Sequence, residues 1–274
     1  MSSLRLRDGN ELCYRDCGGG EPLLLLHGFT GSNNAWGETL LNKLAESRRV
    51  IAPDLLGHGK SSGPTEPARY SLETQTDDLC ELLNALGISR ASWLGYSMGG
   101  RLALAAARRV PDRIASLILI GASPGLRRAA ERTGRRHMDD ARACDLEKLG
   151  IVPFVDEWMK SPLFAHEAAL GSQHIALQRE RRLANDPFAL AASLRGAGTG
   201  SQKNLWPELP DLNLQSLLIT GELDEKFCRI AEQMREQLPD ATHTIVEAAG
   251  HAVHLEQPDA FADCVLNFLE RAKR

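Results

Sequence analysis

The chain has 274 residues, of which 43% are apolar and 25% are charged, so it is long enough to bury a substantial core in one large domain or two small ones. Its formal net charge of -4 at pH 7 supplies no general attraction to nucleic acid or to an anionic membrane, and neither is expected as a partner. Residues 1–10 lack the apolar core of a signal peptide and no segment approaches the ~20 apolar residues of a membrane span, so we expect a cytoplasmic protein.

Short β-like segments alternate with helical patterns along most of the chain. A hairpin is predicted over 4–14, and further strands are predicted over 22–26, 50–52, 91–94, 117–120, 217–220 and 242–246. The continuous apolar runs at 23–26 and 117–120 are typical of strands that are buried on both faces. The sequence therefore predicts an α/β fold, in which a mostly parallel central sheet with an antiparallel start carries helices on both faces.

This alternation stops between the strands predicted at 117–120 and 217–220. The patterns there are helical and charged, over 127–142, 151–159, 166–183 and 187–195. We expect residues 124–205 to form a helical lid inserted into a core made of residues 1–123 and 206–274, above the strand ends where such sheets bind ligands. The glycine-rich stretch 196–200 is interpreted as a flexible return from the lid to the core.

The six cysteines are scattered, with neither a C-x-x-C pair nor a histidine-containing cluster of metal-ligand spacing. We therefore expect reduced thiols and no metal or other cofactor. The cysteines are Cys13, Cys17, Cys80, Cys144, Cys228 and Cys264.

Gly95-Tyr96-Ser97-Met98-Gly99 lies between the predicted strand 91–94 and a helix-like stretch over 100–107. This is G-x-S-x-G in its strand–turn–helix setting, where a sharp turn lifts the serine hydroxyl above the sheet. Bulky residues two positions before or after the serine would clash in such a turn, which explains the glycines. Ser97 is therefore the candidate nucleophile or base.

A serine hydroxyl needs an imidazole to take its proton and a carboxylate to orient that imidazole. In chain order, Asp224 follows the predicted strand 217–220 and His251 follows the strand 242–246, which places both at the same sheet edge as Ser97. Aspartate is the commoner acid at this position, and His254 lies where a helix is expected to begin. The competing residues are Glu222, Glu225 and His254.

Negative charge that develops on a substrate oxygen needs preorganised donors. The backbone N–H of Phe29, just after the strand 22–26, and that of Met98, just after the nucleophile, are the candidate oxyanion hole. His27 is interpreted as structural.

Basic residues are enriched in the lid, where 13 Lys and Arg face 10 Asp and Glu, whereas the rest of the chain has 19 against 26. This asymmetry favours an anionic substrate. Arg101 lies one helical turn after Ser97 on the same face, where a guanidinium can bind a carboxylate with two hydrogen bonds, and its position alone leaves a substrate role and a structural role equally open. Three lid arginines are interpreted as a solvated helix face: Arg127, Arg128 and Arg136.

Several segments together resemble the MenH family, the 2-succinyl-6-hydroxy-2,4-cyclohexadiene-1-carboxylate synthases of menaquinone biosynthesis, which have the α/β-hydrolase fold. The resemblance covers nearly the whole chain and includes the lid, which other hydrolases of this fold do not share. The matching positions are 27–29, 95–101, 123–126, 161–164 and 194–202, with Glu131, Arg132, Arg135, Asp139 and Trp158.

The resemblance implies that Ser97, Asp224 and His251 form the triad. It implies that three arginines hold the carboxylates of a small polycarboxylate substrate, namely Arg101, Arg135 and Arg182. It also implies that three aromatic residues line the pocket, namely Tyr96, Trp158 and Phe164.

The implied reaction is an elimination. Ser97, relayed through His251, would take the ring proton next to the succinyl ketone, the Phe29 and Met98 amides would hold the enolate, and pyruvate would leave. A hydrolase of esters or vinylogous carbon–carbon bonds would use the same triad, but it would not need arginines in the pocket. A non-catalytic receptor built on this fold would not require an intact triad.

Overall fold

The computed structural model describes residues 1–272, and within that range eight strands form one sheet. The strand order across the sheet is β1-β2-β4-β3-β5-β6-β7-β8; β1 and β2 pair antiparallel, and β3 to β8 run parallel. The strands are β1 (Ser2–Arg5), β2 (Glu11–Gly18), β3 (Glu21–Leu26), β4 (Arg48–Pro53), β5 (Ala91–Tyr96), β6 (Ile114–Ile120), β7 (Ser216–Gly221) and β8 (Ala241–Val246).

Ten α-helices lie within the same described range. They are α1 (Glu38–Ala45), α2 (Leu72–Ala85), α3 (Met98–Arg109), α4 (Ala129–Leu149), α5 (Ile151–Trp158), α6 (Ser172–Leu183), α7 (Pro187–Ala197), α8 (Glu225–Arg235), α9 (Val253–Glu256) and α10 (Pro258–Arg271). None of these helices, taken over residues 1–272, combines the length and apolarity needed to cross a bilayer.

The central strands are buried on both faces because their apolar runs supply two cores at once. Along β3, Leu24 and Leu26 join one hydrophobic cluster, whereas Leu23 and Leu25 join the cluster on the opposite face. Successive side chains of a strand point to opposite faces, so a run of four leucines satisfies both layers of helices. This confirms the predicted α/β class, the mostly parallel sheet and its antiparallel start.

The strands that follow β3 in the chain lie on opposite sides of it. The next strand, β4, pairs with one edge of β3, and β5 pairs with the other edge. In parallel α/β sheets such a switch point opens a crevice at the carboxyl ends of the strands, and ligands bind there. Phe29 follows β3 and Ser97 follows β5 at this edge. The topology therefore brings two of the predicted site residues together.

Residues 124–205, called the lid segment below, contain α4 to α7 and, within the described chain, no strand. Their apolar side chains form a small separate cluster that includes Leu146, Val155 and Leu190. The predicted helix over 166–183 is wrong in one respect, because Gly171 adopts a φ of 89° and separates a 3-10 turn (Glu167–Leu170) from α6.

The glycine-rich stretch 196–200 also differs from the flexible return that we expected. Gly196 lies inside α7, where a Cβ atom would overlap the Pro67 carbonyl oxygen, and one at Gly200 would overlap the Arg136 amide. These glycines therefore allow close packing of backbone against backbone.

Candidate active site

Ser97 occupies a sharp turn between β5 and α3. Its φ of 51° and ψ of -104° are unfavourable for a residue with a Cβ atom, and its N–H donates to the Ile120 carbonyl oxygen at 2.8 Å. A Cβ atom at Gly95 would overlap the Gly99 carbonyl, and one at Gly99 would overlap the Leu26 carbonyl. The glycines of the motif therefore make room for the turn that presents the Ser97 hydroxyl.

Three side chains from distant parts of the chain form a hydrogen-bonded row at this edge. Ser97 Oγ lies 3.2 Å from His251 Nε2, and His251 Nδ1 lies 2.6 Å from Asp224 Oδ2. An ionised carboxylate only accepts, so His251 Nδ1–H donates to Asp224 and leaves Nε2 free to accept the Ser97 proton. The geometry is that of a nucleophile, a base and an orienting acid.

The competing residues are engaged elsewhere. Glu222 accepts from the Ala248 N–H at 3.1 Å, and Glu225 lies on the surface of α8 opposite Arg229 at 3.4 Å. His254 is buried with its ring centroid 4.5 Å from that of Tyr96, and burial lowers its pKa to about 3. The structure therefore brings only Asp224, of the acids considered, to His251.

Glu256 and Gly121 hold His251 in position, and neither was found from the sequence. The buried Glu256 carboxylate accepts from the N–H of Gly250 at 2.6 Å and from that of Ala252 at 3.1 Å. Gly121 packs under the ring, and a Cβ atom there would lie 2.6 Å from His251 Cε1. Glu256 is the fourth and last residue of α9 rather than its third, so the spacing of a capping box does not indicate it, and its role follows only from the folded structure.

The predicted oxyanion donors both line the cavity above Ser97. The N–H groups of Phe29 and Met98 have no protein acceptor among residues 1–272, and Met98 is the first residue of α3, where an amide has no partner within its helix. His27 is buried and accepts from the Leu55 N–H at 3.0 Å, and burial lowers its pKa to about 4. These contacts agree with a structural role for His27.

A cavity of about 590 Å³ opens over the triad, between the sheet edge and the lid segment. Its aromatic lining includes Tyr96, Trp158 and Phe164, as the resemblance implied, together with Phe29. The Phe29 ring meets that of Trp158 edge to face at 5.6 Å, so the sheet edge and the lid segment share one aromatic wall.

Arg101 and Arg135 line one part of this cavity. Arg101 Nη1 donates to the Ala197 carbonyl at 2.8 Å, and Arg135 Nε donates to Asp139 Oδ1 at 2.8 Å. Burial, with a smaller contribution from the neighbouring Arg135 charge, lowers the pKa of Arg101 to about 10. Of these two guanidinium groups only that of Arg135 pairs with a carboxylate, Asp139, whereas Arg101 forms no salt bridge among the described residues, so this region keeps an excess of positive charge.

Arg182 lines another part of the cavity and is itself buried. Its guanidinium lies 4.6 Å from the centre of the Phe164 ring, and its Nη1 atom has no hydrogen-bond partner among the described residues. Arg181 lines the cavity beside it. The three arginines of the resemblance therefore reach the same cavity as the triad.

Arg127 and Arg128 are exposed, as the interpretation of solvated arginines requires, but they lie just before α4 and at its N-cap rather than on a helix face, and both also border the cavity. Arg127 lies 3.7 Å from the centre of the Trp206 ring, a contact between segments that the sequence does not connect. Arg136 is exposed and is not among the lining residues. Lys226, which the sequence did not single out, also lines the cavity.

A family model for the α/β hydrolase fold matches residues 21–258. The chain is 39% identical, over 97% of both lengths, to a putative 2-succinyl-6-hydroxy-2,4-cyclohexadiene-1-carboxylate synthase from Bacillus subtilis (strain 168). It is 32% identical to the synthase of that name from Serratia proteamaculans (strain 568), over 90% of this chain and 92% of the relative. The solved structure of MenH from S. aureus aligns with a TM-score of 0.91 at 33% identity, over 96% of this chain and 99% of that one. The chain therefore belongs to the family of 2-succinyl-6-hydroxy-2,4-cyclohexadiene-1-carboxylate synthases, within the α/β hydrolase fold.

Proposed function

We propose that this protein is a lyase of menaquinone biosynthesis, which eliminates pyruvate from 2-succinyl-5-enolpyruvyl-6-hydroxy-3-cyclohexene-1-carboxylate. The product is 2-succinyl-6-hydroxy-2,4-cyclohexadiene-1-carboxylate. The observation that carries the proposal is that a Ser97–His251–Asp224 row opens into a cavity lined by several arginines. An esterase pocket has no need of such charges, whereas a substrate with three carboxylates does.

The reaction starts at the ring carbon that bears the succinyl group. Ser97 Oγ takes the proton from this carbon and passes its own proton to His251 Nε2, while Asp224 stabilises the imidazolium. The electron pair of the broken C–H bond moves onto the succinyl ketone oxygen. The Phe29 and Met98 amides donate to this enolate oxygen.

The enolate then collapses and expels the leaving group. Its electrons form the ring C2=C3 bond, the C3=C4 pair moves to C4=C5, and the C5–O bond to the enolpyruvyl group breaks. The proton held by the serine–histidine pair goes to the departing group, which becomes pyruvate by tautomerisation. Neither water nor an acyl-enzyme takes part, so Ser97 acts as a base.

The cationic groups of the cavity are complementary in charge to the succinyl, ring and enolpyruvyl carboxylates of the substrate. Arg101 with Arg135 and Arg182 with Arg181 are two groups of paired guanidiniums, and we assign substrate carboxylates to both. Tyr96, Trp158 and Phe164 are assigned to the ring and its chains.

We further propose that residues 124–205 form the lid on a core of residues 1–123 and 206–274. We also propose a cytoplasmic location, with which the six free cysteines agree.

The test is to supply the purified protein with the enolpyruvyl substrate and to follow diene absorbance and pyruvate release together. Both signals should appear in a one-to-one ratio and should be lost in Ser97→Ala. Wild-type protein that releases no pyruvate above the uncatalysed rate would overturn the proposal.

The assembled triad also favours a second candidate, an ester hydrolase that uses Ser97 as a nucleophile, because the 3.2 Å contact to His251 suits that chemistry equally. Short p-nitrophenyl esters separate the two functions. Rapid turnover with a trapped acyl-Ser97, and no pyruvate release from the enolpyruvyl substrate, is the result expected of the hydrolase.

A further inference from the structure

Glu167 is a buried acid that lines the cavity and has no part in the triad. It begins the 3-10 turn Glu167–Leu170, and only 1% of its surface is exposed. This turn packs on the loop that carries the catalytic histidine, since a Cβ atom at Gly250 would lie 2.8 Å from His166 Cδ2. Glu167 thus belongs to the part of the lid segment that packs against the site.

The polar atoms around Glu167 are incompletely paired. Among residues 1–272, neither oxygen of Glu167 has a hydrogen-bond partner, and neither has Arg182 Nη1. Arg182 Nη2 lies 3.8 Å from one oxygen and His174 Nε2 lies 3.8 Å from the other, both beyond hydrogen-bond distance. Buried groups of this kind are costly unless a ligand completes them.

A ligand that satisfies both side chains must carry two different groups. Arg182 only donates, so it needs an anionic oxygen, whereas an ionised Glu167 only accepts, so it needs an O–H or N–H donor. A lone carboxylate would satisfy Arg182 but would place a second negative charge beside Glu167. The substrate of the proposed function carries a carboxylate on ring carbon 1 and a hydroxyl on the adjacent carbon 6.

On this basis, which rests on the proposed function, we propose that Glu167 is a specificity-determining residue: its carboxyl group accepts a hydrogen bond from the ring hydroxyl while Arg182 binds the neighbouring carboxylate. The pair then recognises a β-hydroxy carboxylate. The 3.8 Å separation of Arg182 Nη2 and Glu167 Oε1 fits two substituents on adjacent carbons.

The protonation state of Glu167 agrees with this role. Burial raises the pKa of Glu167 to about 7, Arg182 opposes that shift and Glu256 adds to it. The facing groups are Arg182 and His174 from α6, Tyr96 from β5 and Glu256 from α9; burial lowers the pKa of His174 and raises that of Tyr96, so both stay neutral near pH 7. Glu167 therefore changes its protonation state near pH 7.

The test measures binding without turnover, by calorimetry, with two probes: 2-hydroxycyclohexane-1-carboxylate and cyclohexanecarboxylate. Wild-type protein should bind the hydroxy acid roughly tenfold more tightly, as expected for one hydrogen bond to a charged group. Glu167→Leu should abolish this preference. Glu180→Gln, which changes an exposed acid on α6 outside the cavity, should keep it.

The pH dependence supplies a second readout. As pH rises through about 7, Glu167 ionises and repels the carboxylates of both acids alike, but only the hydroxy acid gains the stronger hydrogen bond from its hydroxyl to the ionised carboxylate, so the preference for the hydroxy acid should grow. Glu167→Gln keeps the size and one acceptor, so it should fold and retain a preference that no longer changes with pH.

Equal binding of the two acids by wild-type protein would overturn the proposal, and so would a Glu167→Leu variant that keeps the full preference. Failure of the wild-type protein to bind either acid would also overturn the proposal. These outcomes are distinct from a failure of the proposed function, which is read from pyruvate release by the unmodified enzyme.

Discussion

The Glu256 carboxylate bridges the two backbone amides that flank His251, at 2.6 Å from the Gly250 nitrogen and 3.1 Å from the Ala252 nitrogen. The base of the triad is therefore held by an acid that does not touch its ring. A displacement of the base by a fraction of an ångström is enough to impair proton transfer, so this support bears on rate more than on substrate binding.

Replacing Glu256 by Gln should lower kcat by about 10- to 100-fold and leave KM nearly unchanged, because one of the two acceptor oxygens becomes an amide donor facing an N–H. Steady-state kinetics with the enolpyruvyl substrate measure this split. Glu247→Gln alters an exposed acid of the same loop and should leave both constants unchanged. A rise in KM by the same factor as the fall in kcat would indicate a general loss of structure rather than a misplaced base.

Asp224→Asn should reduce kcat by roughly 10³-fold or more, because the amide no longer favours the tautomer in which His251 Nδ1 carries the proton. Glu222→Gln and Glu225→Gln remove the competing acids on either side of Asp224 and should retain most of the activity. Comparing kcat for the three variants identifies the acid of the triad. A greater loss in Glu222→Gln than in Asp224→Asn would contradict the assignment.

Arg101→Ala should lower kcat/KM by about 10- to 100-fold, since it removes a guanidinium that binds an anionic substrate. Arg136→Ala removes an arginine of the lid segment that does not line the cavity, so its kcat/KM should match that of the wild type. Thermal unfolding of Arg101→Ala should be measured alongside, because Arg101 also donates to the Ala197 carbonyl. An unchanged kcat/KM for Arg101→Ala would exclude the assigned contact.

Acid should destabilise the protein through its buried histidines. Burial lowers the pKa of His27 to about 4 and that of His58 to about 3, from an ordinary value of 6.5. The unfolded chain therefore binds more protons than the folded one below that value, and the free energy of unfolding falls as pH decreases from about 6.5 towards 4. The expected loss is about 3 kcal/mol for each histidine.

Urea unfolding at a series of pH values measures this slope. His58→Asn keeps a donor for the Leu56 carbonyl but cannot titrate, so its stability should fall less steeply with acid than that of the wild type. His137→Asn changes an exposed histidine and should keep the wild-type slope. A His58→Asn slope equal to the wild-type slope would show that His58 does not contribute.

Local patterns were enough to predict the sheet and the turn at Ser97. Apolar runs such as Leu23 to Leu26 indicate strands that are buried on both faces of a sheet. Successive side chains of a strand point to opposite faces, so a continuous apolar run supplies both cores. The glycines around Ser97 have a similarly local cause, since they relieve clashes within one turn. The order of Ser97, Asp224 and His251 along the chain followed from the same strand-by-strand reasoning.

Contacts between distant segments were not predictable in this way. Arg127 is exposed, as its charged surroundings in the sequence indicate, but its guanidinium lies over the ring of Trp206, which comes just after the lid segment, and both residues border the cavity. Glu167 and Glu256 gain their importance from burial, which depends on how the lid segment and α9 pack around the His251 loop.

The sequence by itself thus determined the elements, their order and the chemical types gathered at one sheet edge, because these depend on periodicity and on single turns. The tertiary structure alone decided which acid faces His251, which arginines reach the cavity and where an unpaired carboxylate lies beside Arg182. Those features depend on distances of a few ångströms between side chains far apart in the chain, and packing of the whole core sets such distances.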